Sequence, residues 1–164
     1  MTRPSIVDDY QAIRTRAQEL ERAKKAALMW CRNTALTFIV IREDNNLTAN
    51  LIGDLLEAHG CQVFVTWDDD EALEIARLHK PDLIQSDMQG VKHSGLEFAR
   101  MVRRDERLQD VPLLCATAFA KESDRQFILD AGLFNGYLPK PISVRLYIRL
   151  IADLLKKPGF GFAC

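Results

Sequence analysis

The sequence contains no apolar run that approaches the ~20 residues needed to cross a membrane. Its first 20 residues carry charges throughout, whereas a secretory leader has a basic stretch followed by an apolar one. Neither sign of charge is in excess, because 22 Lys and Arg stand against 23 Asp and Glu for a formal net charge of -1. Such a balance creates no long-range field that would attract nucleic acid or an anionic membrane surface. We therefore predict a cytoplasmic protein that binds neither.

Cysteine motifs are also missing. The 4 cysteines are far apart in the sequence, with no CxxC pair and no histidine at ligand spacing; they are Cys31, Cys61, Cys115 and Cys164. Zinc sites and dithiol redox sites both need such spacings. We interpret the thiols as buried or incidental.

The length of 164 residues allows one domain of ~100 to 150 residues plus an appendage. We predict an N-terminal helical arm over residues 1–34, because Ser5–Asn33 lacks Gly and Pro and repeats apolar residues at steps of four and three. Lys24 interrupts this apolar seam, so dimerisation through the helix and folding back on the domain both remain open. A domain over 35–157 and a C-terminal tail over 158–164 complete the predicted organisation.

Beyond residue 35, short apolar runs alternate with amphipathic helical stretches, which is typical of a parallel sheet covered on both faces. The predicted strands are Leu36–Ile41, Gln62–Thr66, Asp82–Ser86, Pro112–Ala116 and Gly136–Leu138. The predicted helices are Leu47–Ala58, Asp70–Leu78, Gly95–Arg103, Glu122–Ala131 and Ser143–Lys156. Gly60 and Gly132 follow the first and fourth helices, where a left-handed residue commonly ends a helix. The pattern predicts an α/β fold with a doubly wound, five-stranded parallel sheet and an N-terminal helical extension.

Reactive side chains follow several of these strands. Glu43 and Asp44 come just after the first, Asp87 ends the third, Thr117 ends the fourth and Lys140 follows the fifth. In open α/β sheets the ligand site lies at the carboxyl ends of the strands, where strand order reverses. Carboxylates gathered there repel one another, and a hard divalent cation such as Mg²⁺ is the usual way to hold them together. The sequence therefore predicts a magnesium site.

Four segments resemble the receiver domains of two-component response regulators: REDNNLTANLIGDLLEAHG, PDLIQSDMQG, LLCATAFA and GYLPKPI. The resemblance covers about Thr37 to Leu155. It implies a flavodoxin-like sheet of order 2-1-3-4-5 and a signalling switch, not an enzyme beyond its own phosphorylation and dephosphorylation. It also implies a histidine kinase or a histidine phosphotransfer protein as the partner that donates the phosphoryl group.

The resemblance further implies the role of each matching residue. Asp87 would accept the phosphoryl group, and Mg²⁺ would be held by Glu43, Asp44, Asp87 and the backbone carbonyl of Gln89. These roles suit the chemistry, because phosphoryl transfer depends mainly on positioning and on neutralising charge.

Three further residues would respond to the phosphoryl group. Thr117 and Lys140 would contact its oxygens, and Tyr137 matches the aromatic residue whose rotamer reports phosphorylation in the family. The bond between Lys140 and Pro141 resembles the family's cis peptide. With Met1 as the true start, we expect a single-domain response regulator whose output surface is formed by the fourth helix, fifth strand and fifth helix.

The sequence departs from the family pattern at several positions. Gly90–Gly95 stands where Met-Pro-Gly-Met-Asp-Gly is usual, so the loop lacks its stiffening proline and should be more flexible. Lys92 and His93 add hydrogen-bond donors there, which either steer the phosphoryl donor or are merely solvated. Phe119 stands where some members carry a polar group that positions water, so we expect slow self-dephosphorylation.

Arg42 is a second departure, because the family usually has an aliphatic residue before the acidic pair. We expect it to pair with Glu43 or with an acid of Asp68–Asp70 and so to compete with metal binding. These departures favour one alternative, a phosphorylation-independent adaptor or dimerisation module. A flavodoxin-like nucleotide or flavin protein is disfavoured because no Gly-rich loop follows the first strand. An aspartyl hydrolase is disfavoured because Gln89 stands where a second acid would be needed.

Overall fold

The computed structural model describes residues 37–119 and 121–156. The predicted arm (1–34) and tail (158–164) lie outside the described residues, so dimerisation through the arm stays a prediction. Within these two ranges, no helix is both long enough and apolar enough to span a bilayer.

Five parallel strands form one sheet in the order β2-β1-β3-β4-β5. The strands are β1 Phe38–Arg42, β2 Gln62–Thr66, β3 Leu83–Asp87, β4 Leu113–Thr117 and β5 Gly136–Pro139. The predicted doubly wound sheet and its strand order are both confirmed. Because β2 and β3 lie on opposite sides of β1, the strand order reverses between β1 and β3. The carboxyl ends of these two strands therefore form the crevice where ligands of such sheets bind.

Five helices connect and cover the strands: α1 Asn46–Ala58, α2 Asp69–His79, α3 Gly95–Arg104, α4 Glu122–Asp130 and α5 Val144–Leu155. Four of them begin at a side chain that accepts from a backbone N–H of the first turn, namely Asn45, Asp68, Ser94 and Ser143. Gly60 (φ +79°) and Gly132 (φ +67°) adopt the left-handed conformation predicted after the first and fourth helices. The first three of these caps end the loops that follow β1, β2 and β3 at the carboxyl edge of the sheet.

Successive side chains of a strand point to opposite faces of the sheet. Ile39 and Ile41 of β1 pack in a buried cluster with residues of α1 and α5, including Ile52 and Tyr147. Arg42 points to the other face, where its guanidinium lies 5.0 Å from the ring centroid of Phe98 in α3. The sheet is thus covered on both faces, as its apolar strands require.

Four strands end one residue later than the apolar runs indicated, and three of them end in a polar residue. Arg42, Asp87 and Thr117 are the last residues of β1, β3 and β4, and each aligns with a residue of a neighbouring strand. The backbone ladder continues past the point where side chains become polar, because its hydrogen bonds do not depend on the side chain. These polar residues therefore lie on rigid strand backbone and not in loops.

Candidate functional site

The three predicted acids meet at the carboxyl ends of β1 and β3. Glu43, Asp44 and Asp87 each offer a carboxylate oxygen, and these atoms all lie within 4.8 Å of one another. Glu43 and Asp87 are buried while Asp44 is exposed, so the cluster opens to solvent on one side. A set of three carboxylates with an open side fits a hard divalent cation that keeps some of its water, as Mg²⁺ does.

Lys140 joins this cluster from the end of β5. Its Nζ donates hydrogen bonds of 2.6 Å to Glu43 Oε2 and 2.6 Å to Asp87 Oδ2. Its backbone N–H donates to the carbonyl of Thr117 (2.8 Å), and its peptide bond to Pro141 is cis. The ammonium group therefore bridges the two buried acids across the sheet.

The ionisation of these groups reflects burial and mutual pairing. Burial raises the pKa of Glu43, although its hydrogen bonds with Lys140 and with the Asn45 N–H act in the opposite direction. Burial disfavours the charged form of Lys140, but its hydrogen bonds to Asp87 and Glu43 outweigh this effect and raise its pKa. One ammonium thus faces three carboxylates, which leaves excess negative charge for a cation to neutralise.

Thr117 and Tyr137 lie beside the cluster on β4 and β5. Thr117 is fully buried, and its Oγ1 accepts from the backbone N–H of Phe119 at 3.0 Å. The hydroxyl of half-buried Tyr137 donates to the carbonyl of Phe119 at 2.5 Å. Both side chains therefore hold the same short segment after β4, so a movement of Thr117 would be felt by Tyr137.

Arg42 pairs with Asp69 of α2 and not with Glu43. The guanidinium, which is 2% exposed, also donates to Ser86 Oγ at 3.0 Å and to the carbonyls of Asp87 (2.9 Å) and His93 (2.5 Å). The arginine therefore holds together three segments: the end of β1, the start of α2 and the loop after β3.

Lys92 and His93 are tied to the same acidic stretch. Lys92 Nζ lies 2.8 Å from Asp70 Oδ2 and 3.2 Å from Asp68 Oδ2, and His93 Nδ1 donates to Asp69 Oδ2 at 2.8 Å. With Phe119 they line a groove of about 730 Å³ that also reaches Asp44. In this structure the polar groups of Lys92 and His93 are thus directed at the N-terminal end of α2.

Sequence reasoning missed the roles of two residues in this arrangement. Asp69 is fully buried, although it lies in a run of four acids, Asp68–Glu71, that all look like exposed helix-start residues. Gly90 lies against the Arg42 guanidinium. In the sequence, Arg42 and Gly90 are two separate departures from the family pattern. Nothing in the sequence indicates that they contact each other.

Comparisons with known proteins relate the chain to one family. The family model described as the response regulator receiver domain matches residues 39–152. The polar-differentiation response regulator DivK of Brucella anthropi is 40% identical over 117 residues, which cover 71% of this chain and 94% of the relative. DivK of Brucella ovis is 41% identical over the same length.

Two solved structures give the same picture. The receiver domain of the sensor histidine kinase PA1611 from Pseudomonas aeruginosa, with a magnesium ion coordinated in its active-site cleft, is 28% identical with a TM-score of 0.68, and the match covers 75% of this chain and 100% of that chain. The chemotaxis response regulator CheY4 of Vibrio cholerae shares the fold at 22% identity, with a TM-score of 0.67 and coverage of 73% and 99%.

Proposed function

The chain belongs to the receiver-domain family of two-component response regulators, and on this premise we propose that Asp87 accepts a phosphoryl group in a Mg²⁺-dependent reaction. The observation that carries the proposal is the Lys140 ammonium, which lies 2.6 Å from both Asp87 Oδ2 and Glu43 Oε2 within the three-acid cluster. The donor is the phosphorylated histidine of a kinase or of a phosphotransfer protein.

In the proposed reaction an oxygen of Asp87 attacks phosphorus. A P–O bond to the carboxylate forms while the P–N bond to the donor imidazole breaks, and the imidazole leaves with the bond's electron pair. Glu43, Asp44, Asp87 and the carbonyl of Gln89 would hold Mg²⁺, which supplies positive charge to the phosphoryl oxygens. The magnesium ion named in the cleft of the PA1611 receiver domain supports this assignment.

Lys140 and Thr117 complete the proposed site from β5 and β4. Lys140 would transfer its hydrogen bonds from the two carboxylates to the phosphoryl oxygens, where its positive charge offsets the negative charge that the product gains. Thr117 Oγ1 now accepts from Phe119 N–H, so a turn of its hydroxyl towards the phosphoryl group would release the segment that Tyr137 also holds. The resulting change is read by partners at the surface of α4, β5 and α5.

Intact-mass spectrometry after incubation with Mg²⁺ and acetyl phosphate tests the proposal. We expect one phosphate adduct on the wild type, loss of the adduct in Asp87→Asn and when the metal is chelated, and retention in Asp54→Asn. Asp54 is a suitable control because it is an exposed aspartate on α1. An adduct that persists in Asp87→Asn would place the phosphate elsewhere. A wild type that takes no phosphate even from a cognate kinase would favour the adaptor alternative.

A further inference from the structure

Arg42 brings a positive charge into the protein at the base of the loop after β3. Its side chain is 2% exposed and its counterion Asp69 is fully buried. A buried ion pair is costly unless its remaining hydrogen-bonding groups are also satisfied. The five N–H groups of a guanidinium make this demanding, because water cannot supply the missing acceptors.

Backbone oxygens of the last residue of β3 and of the loop that follows it supply most of these acceptors. Arg42 Nη1 donates to the carbonyl of Asp87 at 2.9 Å and lies 3.5 Å from the carbonyl of Gln89. Nη2 donates to the carbonyl of His93 at 2.5 Å. One guanidinium therefore contacts the backbone at the end of β3 (Asp87), near the start of the following loop (Gln89) and near its end (His93).

Gly90 makes this approach possible. A Cβ atom at position 90 would lie 1.6 Å from Arg42 Nη2 and 2.2 Å from the carbonyl oxygen of His93. Any other residue would therefore push the guanidinium and the loop apart. The extra glycine and the unusual arginine, which look like separate departures in the sequence, form one arrangement.

Asp69 links Arg42 to the far end of the loop. While its Oδ1 pairs with Arg42, its Oδ2 accepts from the imidazole Nδ1 of His93 at 2.8 Å. His93 is thus held by its backbone through Arg42 and by its side chain through Asp69. The loop has lost the proline that usually stiffens it and has gained a buried cross-link.

We propose that Arg42 is a positioning residue for metal binding: with Asp69 and Gly90 it fixes the loop after β3 so that the Gln89 carbonyl is placed for Mg²⁺. This inference rests on the proposed function, because it concerns the same metal site. Residues that orient metal ligands through hydrogen bonds typically contribute about 10- to 100-fold to metal affinity. The opposite effect, competition between Arg42 and the metal for the Gln89 carbonyl, predicts tighter Mg²⁺ binding once the arginine is removed.

The test uses the double variant Arg42→Met/Asp69→Asn, which removes one charge of each sign and leaves no buried charge unpaired. Arg42→Lys keeps the charge but cannot span three carbonyls, so it separates geometry from charge. The matched control is Arg103→Met, because Arg103 donates to the carbonyls of Leu133, Gln109 and Val111 at the amino edge of the sheet.

Isothermal titration with Mg²⁺ and amide hydrogen exchange of the metal-free protein are the two main measurements. For the double variant and for Arg42→Lys we expect Mg²⁺ to bind about 10-fold more weakly or worse, and the amides of residues 89–93 to exchange at least about 10-fold faster. Phosphorylation by acetyl phosphate should then need more Mg²⁺ for half-maximal rate, with a similar maximal rate. Arg103→Met should leave all three quantities unchanged.

Unchanged or tighter Mg²⁺ binding in the double variant, or unchanged exchange of the loop, would overturn the inference. Should the double variant not fold, Arg42→Lys decides alone by the same criteria. Phosphate uptake by the wild type is measured separately, so a wild type that takes phosphate while the variants bind Mg²⁺ normally refutes only the role of Arg42. A wild type that binds no Mg²⁺ and takes no phosphate refutes the proposed function, and the inference with it.

Discussion

At each edge of the sheet an arginine donates hydrogen bonds to several backbone carbonyls, but the two arginines differ in burial and in the charges around them. At the amino edge, half-buried Arg103 donates to the carbonyls of Leu133 (2.9 Å) and Val111 (2.8 Å) and to Asn135 Oδ1 (2.6 Å). At the carboxyl edge, Arg42 makes similar bonds from inside the protein, with Asp69 as a buried counterion. Arg103 therefore holds together the loops that precede β4 and β5, whereas Arg42 lies beside a charged site.

The difference lies in what surrounds each arginine. The partners of Arg103 are neutral oxygens and the arginine itself is half-buried. Its hydrogen bonds therefore leave no excess charge to neutralise. Arg42 lies next to the three acids of the cluster, and among the described residues Lys140 is the cation that forms ion pairs with them. Excess like charge at one edge costs stability, and proteins retain such charge mainly where it has a function. The comparison thus distinguishes a structural edge from a functional one without reference to relatives.

The largest expected effect is on stability when Arg42 is replaced alone. Arg42→Met removes the counterion of the buried Asp69 carboxylate and leaves it the hydrogen bond from His93, so we expect a loss of about 3–5 kcal/mol in the free energy of unfolding. Arg103→Met should cost only about 1–2 kcal/mol, because the carbonyls it leaves are near water. Urea denaturation of the two variants measures the difference. Equal losses would show that Asp69 readily finds water or a proton.

The sequence predicts the sheet and the acid cluster, but it does not predict the ion pair of Arg42. The five-stranded parallel sheet and the meeting of Glu43, Asp44 and Asp87 follow from apolar periodicity and from the rule that parallel strands end at a common edge, whereas the strand order was predicted from the resemblance to receiver domains. The partner of Arg42 could not be chosen among Asp68–Asp70, because burial of one acid in three depends on how α2 packs against β1. A contact between two side chains from separate elements leaves no periodic signal in either.

A second, smaller effect should follow from replacing Lys140. In Lys140→Met the carboxylates of Glu43 and Asp87 lose their shared ammonium, so we expect the metal-free protein to lose about 1–3 kcal/mol of stability. Mg²⁺ should restore most of this loss and raise the melting temperature more than it does for the wild type, because the cation replaces the missing charge. Arg103→Met, its counterpart at the other edge, keeps the metal site and should be stabilised by Mg²⁺ only as much as the wild type is. Thermal unfolding with and without Mg²⁺ tests this, and a loss that the cation does not restore would contradict the proposed site.

The smallest effect is expected at Glu43. Burial raises the pKa of Glu43 above its ordinary value of 4.5, so the folded protein holds this proton more tightly than the unfolded chain does. The stability that the group contributes is therefore present at low pH and is lost as the pH rises through the folded-state pKa. Glu43→Gln should stabilise the metal-free protein at pH 7 by under about 1 kcal/mol, and the gain should vanish below pH 4.5.

Glu57→Gln provides the comparison for this last prediction, because Glu57 is an exposed glutamate in the last turn of α1, away from the acids. It should change stability by less than about 0.5 kcal/mol at either pH. Urea denaturation at pH 7 and at pH 4 measures both variants. If Glu43→Gln instead destabilises the protein at pH 7, then Lys140 more than offsets the burial of Glu43. The carboxyl edge would in that case be as well satisfied without a metal as the amino edge, and excess charge could no longer serve as the mark of the site.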